Sequence, residues 1–140
     1  RLIVLAGDTH TAWANELHDR NRNFIGIEFA CTSVTSNGMG DSLPLKEINW
    51  LMTEANDEVV YYNAFDKGFT IVTLKPEMVE ATYVKVSTVK SKDYFASVDA
   101  SFTASRTDYG VTRLTMGKTD TAARPTAPIG SGTLDPLPSP

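Results

Sequence analysis

The chain has 140 residues, 41% hydrophobic and 21% charged, the composition of an ordinary globular domain with enough apolar mass for one core. Net charge is −4 and the 13 Lys and Arg residues form no cationic stripe, which argues against a nucleic-acid-binding or anionic-membrane surface. No apolar run approaches the roughly 20 residues of a membrane span, no signal-peptide pattern is present, and a first residue of Arg1 rather than Met predicts a processed or excised piece.

The run Leu2 to Ala6 is wholly apolar and ends on Gly7, the pattern of a central strand covered on both faces. "TAWANELH", Thr11 to His18, is ambiguous between helix and strand; the alternation of Trp13, Asn15 and Leu17 against Ala14, Glu16 and His18 favours strand. A polar turn, "DRNRN", leads into "FIGIEFACTSV", whose Phe24, Ile25, Ile27, Phe29 and Val34 predict a second buried strand paired with the first as a hairpin. Cys31 lies in this stretch and reads as a buried thiol without a disulfide partner. "TSNGMGDSLP" has loop composition.

A helix is predicted near 44–56: Ser42 as N-cap, Pro44 in the first turn, Leu45, Ile48, Leu51, Met52 and Ala55 as the apolar face, and Asn56 as the stop. "VVYYNAFDKGFTIVTLKPEMVEATYVKVSTV" holds three β-rich runs divided by "DKG" and "KPEM", which predicts an antiparallel meander. "YFASVDASFTASRTDYGVTRL" is polar and alternating, and reads as an edge strand or surface hairpin. From Lys118 to Pro140 the chain carries five of its seven prolines among Thr, Ala, Ser and Gly, which predicts an extended tail or linker after a domain spanning 1–117.

Asp8 and His10 flank Thr9 just beyond the first strand, where open α/β sheets place ligand-binding residues. In an extended loop a carboxylate oxygen and an imidazole nitrogen two positions apart point the same way and can converge on one metal or phosphate. The alternative is a turn-capping aspartate and a hydrogen-bonded loop histidine. His18 borders a polar turn and reads as a surface histidine, while Thr32, Ser33, Thr35 and Ser36 offer hydroxyls able to bond a phosphate, although runs of this kind usually satisfy backbone at strand ends. No nucleophile elbow or phosphate-binding P-loop is present.

The succession "LIVLAGDTHTAWANEL", "IGIEFACTSVTSNGMG", "PLKEINWLMTEAN" and "VVYYNAFDKGFTIVTLKPEMVEATYVKVSTV" resembles the C-terminal part of PhoD-like alkaline phosphatases and phosphodiesterases. The resemblance runs from about Leu2 to Leu114 and rests on the order of the four blocks. It implies an α/β fold, the C-terminal half of a calcineurin-like α/β/β/α metallophosphoesterase sandwich with mainly antiparallel or mixed strands. It also implies hydrolysis of phosphate mono- or diesters, secretion, and a site holding calcium and iron. Asp8 matches the metal-ligating aspartate of the family's G-D-x-H motif, and His10 matches its site histidine, with a metal-binding and catalytic role. Where many relatives carry N-P-H, this chain reads Asn56-Asp57-Glu58, so no histidine transfers there.

The family's N-terminal half supplies most of its metal ligands, and none of those motifs occurs in these residues. Two donors do not fill the shell of a hard cation, which takes about six oxygens. The implied partner is the N-terminal half of the same enzyme. The alternative reading is a non-catalytic β-rich module that assembles through open strand edges.

Overall fold

The computed structural model describes residues 2–43, 45 and 47–117, so the predicted tail at 118–140 and Pro44 lie outside the described residues. Two β-sheets pack face to face. The first contains β1 (Leu2–Ala6), β2 (Ala12–His18), β3 (Phe24–Ala30) and β4 (Val59–Asn63), in the order β1-β3-β2-β4. The second contains β5 (Gly68–Leu74), β6 (Met78–Val86), β7 (Ala96–Thr107) and β8 (Gly110–Val111) in that order, with β9 (Thr115–Met116) also paired to β7. Short helices α1 (Met39–Ser42) and α2 (Ile48–Ala55) join β3 to β4.

The predicted hairpin forms: Trp13 pairs with Ala30 and Leu17 with Gly26, antiparallel. Its turn is held by Asp19, whose carboxylate accepts the backbone N–H groups of Asn21 and Asn23 at 2.8 and 2.9 Å. β1 joins the other side of β3 in parallel, Leu2 opposite Gly26 and Ala6 opposite Ala30. It is therefore an edge strand, against the expectation of a central one, and Leu2 and Leu5 are 49% and 60% exposed. Parallel pairing puts Ile3 and Leu5 on the face of Ile27 and Phe29, and Leu2 and Val4 on the face of Gly26 and Glu28, so both faces of this edge are apolar.

The core lies between the sheets. Ala12, Ala14, Ile27 and Phe29 face Val79, Ala81, Tyr83, Ala100, Phe102 and Ala104, all buried. Alanine at so many facing positions lets the sheets approach, and the rings of Tyr61, Tyr83 and Phe102 fill the remaining space with centroids 5.0 to 6.0 Å apart. The Tyr83 hydroxyl donates to the carbonyl of Trp13 and ties the sheets directly. Glu16, buried on the same face of β2, accepts from the Arg113 guanidinium and from the backbone N–H of Leu114 at 3.0 Å.

Several sequence expectations are corrected here. Within "YFASVDASFTASRTDYGVTRL", Ala96–Thr107 form the longest strand described, β7, with neighbours on both sides, because Ala96, Ala100, Phe102 and Ala104 supply a buried stripe among Ser and Thr; the expected hairpin forms only at its end, where Thr107 pairs with Gly110. The three-run meander is split: β4 joins the first sheet, and "DKG" carries the chain across to β5 and β6, which alone form the hairpin. The buried strand of "FIGIEFACTSV" ends at Ala30, leaving Val34 63% exposed and Cys31 half-buried. The helix begins at Ile48, with Glu47 rather than Ser42 at its N-cap, and Ser42 closes α1. No α2 residue is fully buried; Asn56 does stop the helix, its side chain donating to the carbonyl of Met52 at 2.8 Å.

Candidate functional site

The loop following β1 carries both residues singled out by the sequence. Asp8 and His10 have φ of +69° and +58°, so the loop is a tight left-handed turn and not the extended segment expected. The N–H of Thr9 donates to the carbonyl of Gly7 at 2.8 Å across this turn. Asp8 is exposed and His10 half-buried. On the chain's way into β2, the buried hydroxyl of Thr11 accepts the Trp13 indole N–H at 2.7 Å and lies 3.0 Å from the Thr9 hydroxyl. Trp13 in turn packs on Tyr62 with centroids 4.3 Å apart.

Loop residues 31–38 hold His10 from the other side. Its Nδ1 lies 2.6 Å from the carbonyl oxygen of Asn37. A carbonyl only accepts, so Nδ1 carries the proton and Nε2 of the neutral ring keeps its lone pair. The Thr32 hydroxyl bridges the carbonyls of His10 and Asp66 at 3.2 and 3.0 Å, and Ser33 donates to the carbonyl of Ser36 at 2.6 Å, the backbone role expected of these hydroxyls. Gly38 packs so closely that a Cβ there would lie 2.5 Å from the His10 carbonyl oxygen. Just beyond it, the Asp41 carboxylate accepts the Gly38 N–H and pairs with Lys67, both at 2.7 Å. The Lys67 hydrogen bond, then that of Gly38, holds the Asp41 carboxyl below the usual range.

This donor set suits a metal in kind but not in number. A histidine whose Nδ1–H is fixed on a carbonyl, with Nε2 free, has the usual arrangement of a metal-ligating imidazole, and Asp8 adds a carboxylate. Among the described residues no group of three or more His, Cys, Asp and Glu side chains converges. Beside the loop a cleft of about 220 Å³ is lined by Gly7, Thr9, Trp13, Asn15 and Glu28. Asn15 donates to Glu28 at 2.8 Å, while its Oδ1 is buried without a hydrogen-bond partner. His18 is not a surface residue: it is half-buried, edge-on to Phe24 at 6.0 Å.

A second polar cluster went unread in the sequence. Asp99, from β7, accepts from the Tyr61 hydroxyl at 2.5 Å and from Asn63 at 2.8 Å, and pairs with Lys85 at 2.7 Å. Asn63 also donates to Asp66 and receives the N–H groups of Phe65 and Asp66, which fixes the loop leaving β4. Burial pushes the Asp99 carboxyl up, but hydrogen bonds from Lys85, Tyr61 and Asn63 outweigh it and hold it below the usual range. Burial, then the hydrogen bond to Asp99 and its charge, pushes the Tyr61 phenol far up. The space inside the cluster is about 10 Å³, too small for a substrate. The side chains of Asp99, Tyr61, Asn63 and Lys85 come from three strands, β4, β6 and β7, and no local spacing announces them.

Comparison with known proteins places this geometry. Alkaline phosphatase D of Bacillus subtilis (strain 168) is 27% identical over 117 residues, which cover 81% of this chain and 20% of that protein. A solved structure of PhoD superposes with a TM-score of 0.65 at 26% identity, over 84% of this chain and 22% of that one. The chain thus spans about a fifth of the length of each. No helix among the described residues is long and apolar enough to cross a membrane. The PhoD-like phosphatase model matches residues 1–83, which include the turn of Asp8 and His10 and the loops that hold it, and the chain belongs to that family.

Proposed function

We propose that this chain contributes Asp8 and His10 to the metal site of a secreted phosphate mono- or diesterase, whose remaining ligands lie in the part of the relatives' length that it does not span. The observation that carries the reading is the family match across residues 1–83, with both residues on one turn at the end of β1 and His10 fixed through Nδ1. The exposed Asp8 carboxylate offers hard oxygen ligands, and the Nε2 of His10 offers a nitrogen lone pair. Asp8 and His10 would be two of the ligands of calcium or ferric iron, whose chemistry there would be Lewis acidity toward phosphoryl oxygens and a lowered pKa of bound water. The Asn37 carbonyl holds the His10 ring, and the left-handed turn sets the backbone from which Asp8 and His10 project.

A second reading, a non-catalytic β-rich assembly module, draws support from β1, whose apolar residues are exposed on both faces of an edge strand. One experiment separates the two. The protein as isolated from its source is weighed intact, analysed for metals, and assayed with p-nitrophenyl phosphate and its bis-ester. Metal-dependent turnover that falls at least about 100-fold in Asp8→Ala and in His10→Ala is expected. Turnover and metal content unchanged in both variants refute the assignment of the site. Absence of metal and turnover from the natural material leaves the assembly module.

A further inference from the structure

His10 contacts the Asn37 carbonyl; Thr32 and Ser33 tether the loop before it, and the turn after it fixes the Asn37–Gly38 peptide itself. Lys67 is nearly buried, its side chain 11% exposed, and its ammonium pairs with Asp41, whose side chain is 40% exposed. The same Asp41 oxygen that takes Lys67 also accepts the Gly38 N–H. Gly38 N–H is the amide of the very peptide unit whose carbonyl, that of Asn37, receives the His10 ring. Asp41 and His10 therefore hold opposite ends of one peptide group, 2.7 Å on the amide side and 2.6 Å on the carbonyl side.

The peptide is planar, so fixing its N–H fixes its C=O. Pulling charge onto the N–H also polarises the carbonyl and strengthens the bond it accepts. Lys67 anchors the carboxylate that does this. It is a short step from the ring itself: the point where a Gly38 Cβ would stand is 3.3 Å from the Lys67 ammonium and 3.3 Å from the His10 Cβ. The turn is further seated by Gly40, whose N–H donates to the Ala64 carbonyl at 3.2 Å.

We infer that Lys67 and Asp41 are positioning residues that act through the Asn37–Gly38 peptide to hold the His10 ring with Nδ1 protonated and Nε2 available. This rests on the reading of His10 as a metal ligand for its purpose, but its physical content is the state of the ring. The clip also has a rival use. Lys67 lines a cleft of about 400 Å³ with Asn37, Asp41, Asp66 and Lys90, where an ammonium is able to bind an anion directly.

The test is the ¹⁵N spectrum of the His10 ring in the full 140-residue chain, at a pH where the imidazole is neutral, together with titration by inorganic phosphate. The unsubstituted chain is expected to show one tautomer, Nδ1 protonated. Lys67→Met and Asp41→Asn are each expected to move the ring nitrogens toward a tautomer mixture, and Lys67→Arg to restore the pure form. If Lys67→Met fails to fold, the half-exposed Asp41→Asn carries the test. Ring shifts unchanged in Asp41→Asn overturn the inference. So does phosphate binding that tightens in Asp41→Asn and vanishes in Lys67→Met, which marks Lys67 as an anion ligand. Loss of turnover in neither Asp8→Ala nor His10→Ala defeats the metal reading and leaves these ring measurements standing.

Discussion

Replacing Asp99 by asparagine removes the charge in the inter-sheet cluster at nearly constant shape, the amide oxygen still accepting from Tyr61 and Asn63 while its NH2 replaces the oxygen that met Lys85. Asp99 accepts from Tyr61, Asn63 and Lys85, and its side chain is 16% exposed against 39% for Lys85. The half-exposed ion pair is worth only about 0.5 kcal/mol after solvent screening. Hydrogen bonds to a charged group contribute about 1.5–3 kcal/mol and neutral ones about 1, so the Tyr61 and Asn63 bonds each lose about 1 kcal/mol. The expected cost is about 2–3 kcal/mol at pH 7, read from urea denaturation by circular dichroism. The carboxyl ionises below its usual value of 3.8 in the folded protein, so its contribution is present above that pH and is lost as pH falls through the folded value. The difference between the two proteins is thus full at neutral pH and narrows steadily on acidification below about pH 4. A cost under about 0.5 kcal/mol at pH 7, or a difference that stays constant into acid, refutes the assignment.

Three further outcomes follow from the same structure. Phe102→Ala empties the centre of the sandwich, where Phe102 is fully buried, and should cost about 3–5 kcal/mol by chemical denaturation. Burial, chiefly, pushes the phenols of Tyr61 and Tyr83 far up, so in an ultraviolet titration both should stay protonated beyond pH 11 until the chain unfolds. The same shift means stability declines once pH exceeds the unfolded value of about 10. The Arg22–Asp57 pair joins side chains 68% and 78% exposed, and Asp57→Asn should change stability by less than about 0.5 kcal/mol.

What the sequence disclosed follows from range. The β2–β3 hairpin was legible because alternation and a polar turn are local, and its register needs nothing beyond them. The edge position of β1 was not, since an apolar run signals burial without saying whether the covering surface belongs to the same 140 residues. β7 was read as peripheral because Ser and Thr dilute its hydrophobicity, yet alanine suffices at positions where the opposing sheet comes close. Asp8 and His10 were singled out by spacing and resemblance. The groups around His10 were not, because Asn37 meets its ring and Asp41 and Lys67 connect to it only through the Asn37–Gly38 peptide, across separations of up to 57 positions, seen only once the sheets assemble.

The backbone at Asp8 supplies a last argument about what the turn is for. With φ of +69°, position 8 suits glycine, yet the neighbouring Gly7 lies outside the left-handed region and the carboxylate occupies the strained position. A non-glycine residue there costs about 1–2 kcal/mol, less for Asp because its short polar side chain tolerates the conformation. Asp8→Gly relieves that cost but adds about 0.4–1 kcal/mol of chain entropy to the unfolded state. The net change should lie between zero and about 1 kcal/mol of stabilisation, measured by urea denaturation, although the substitution deletes a carboxylate. A residue whose removal leaves the fold as stable or more so is not kept for the fold. Destabilisation by more than about 1 kcal/mol would show that the Asp8 side chain supports the turn itself, and the case for a ligand role would lose its physical basis.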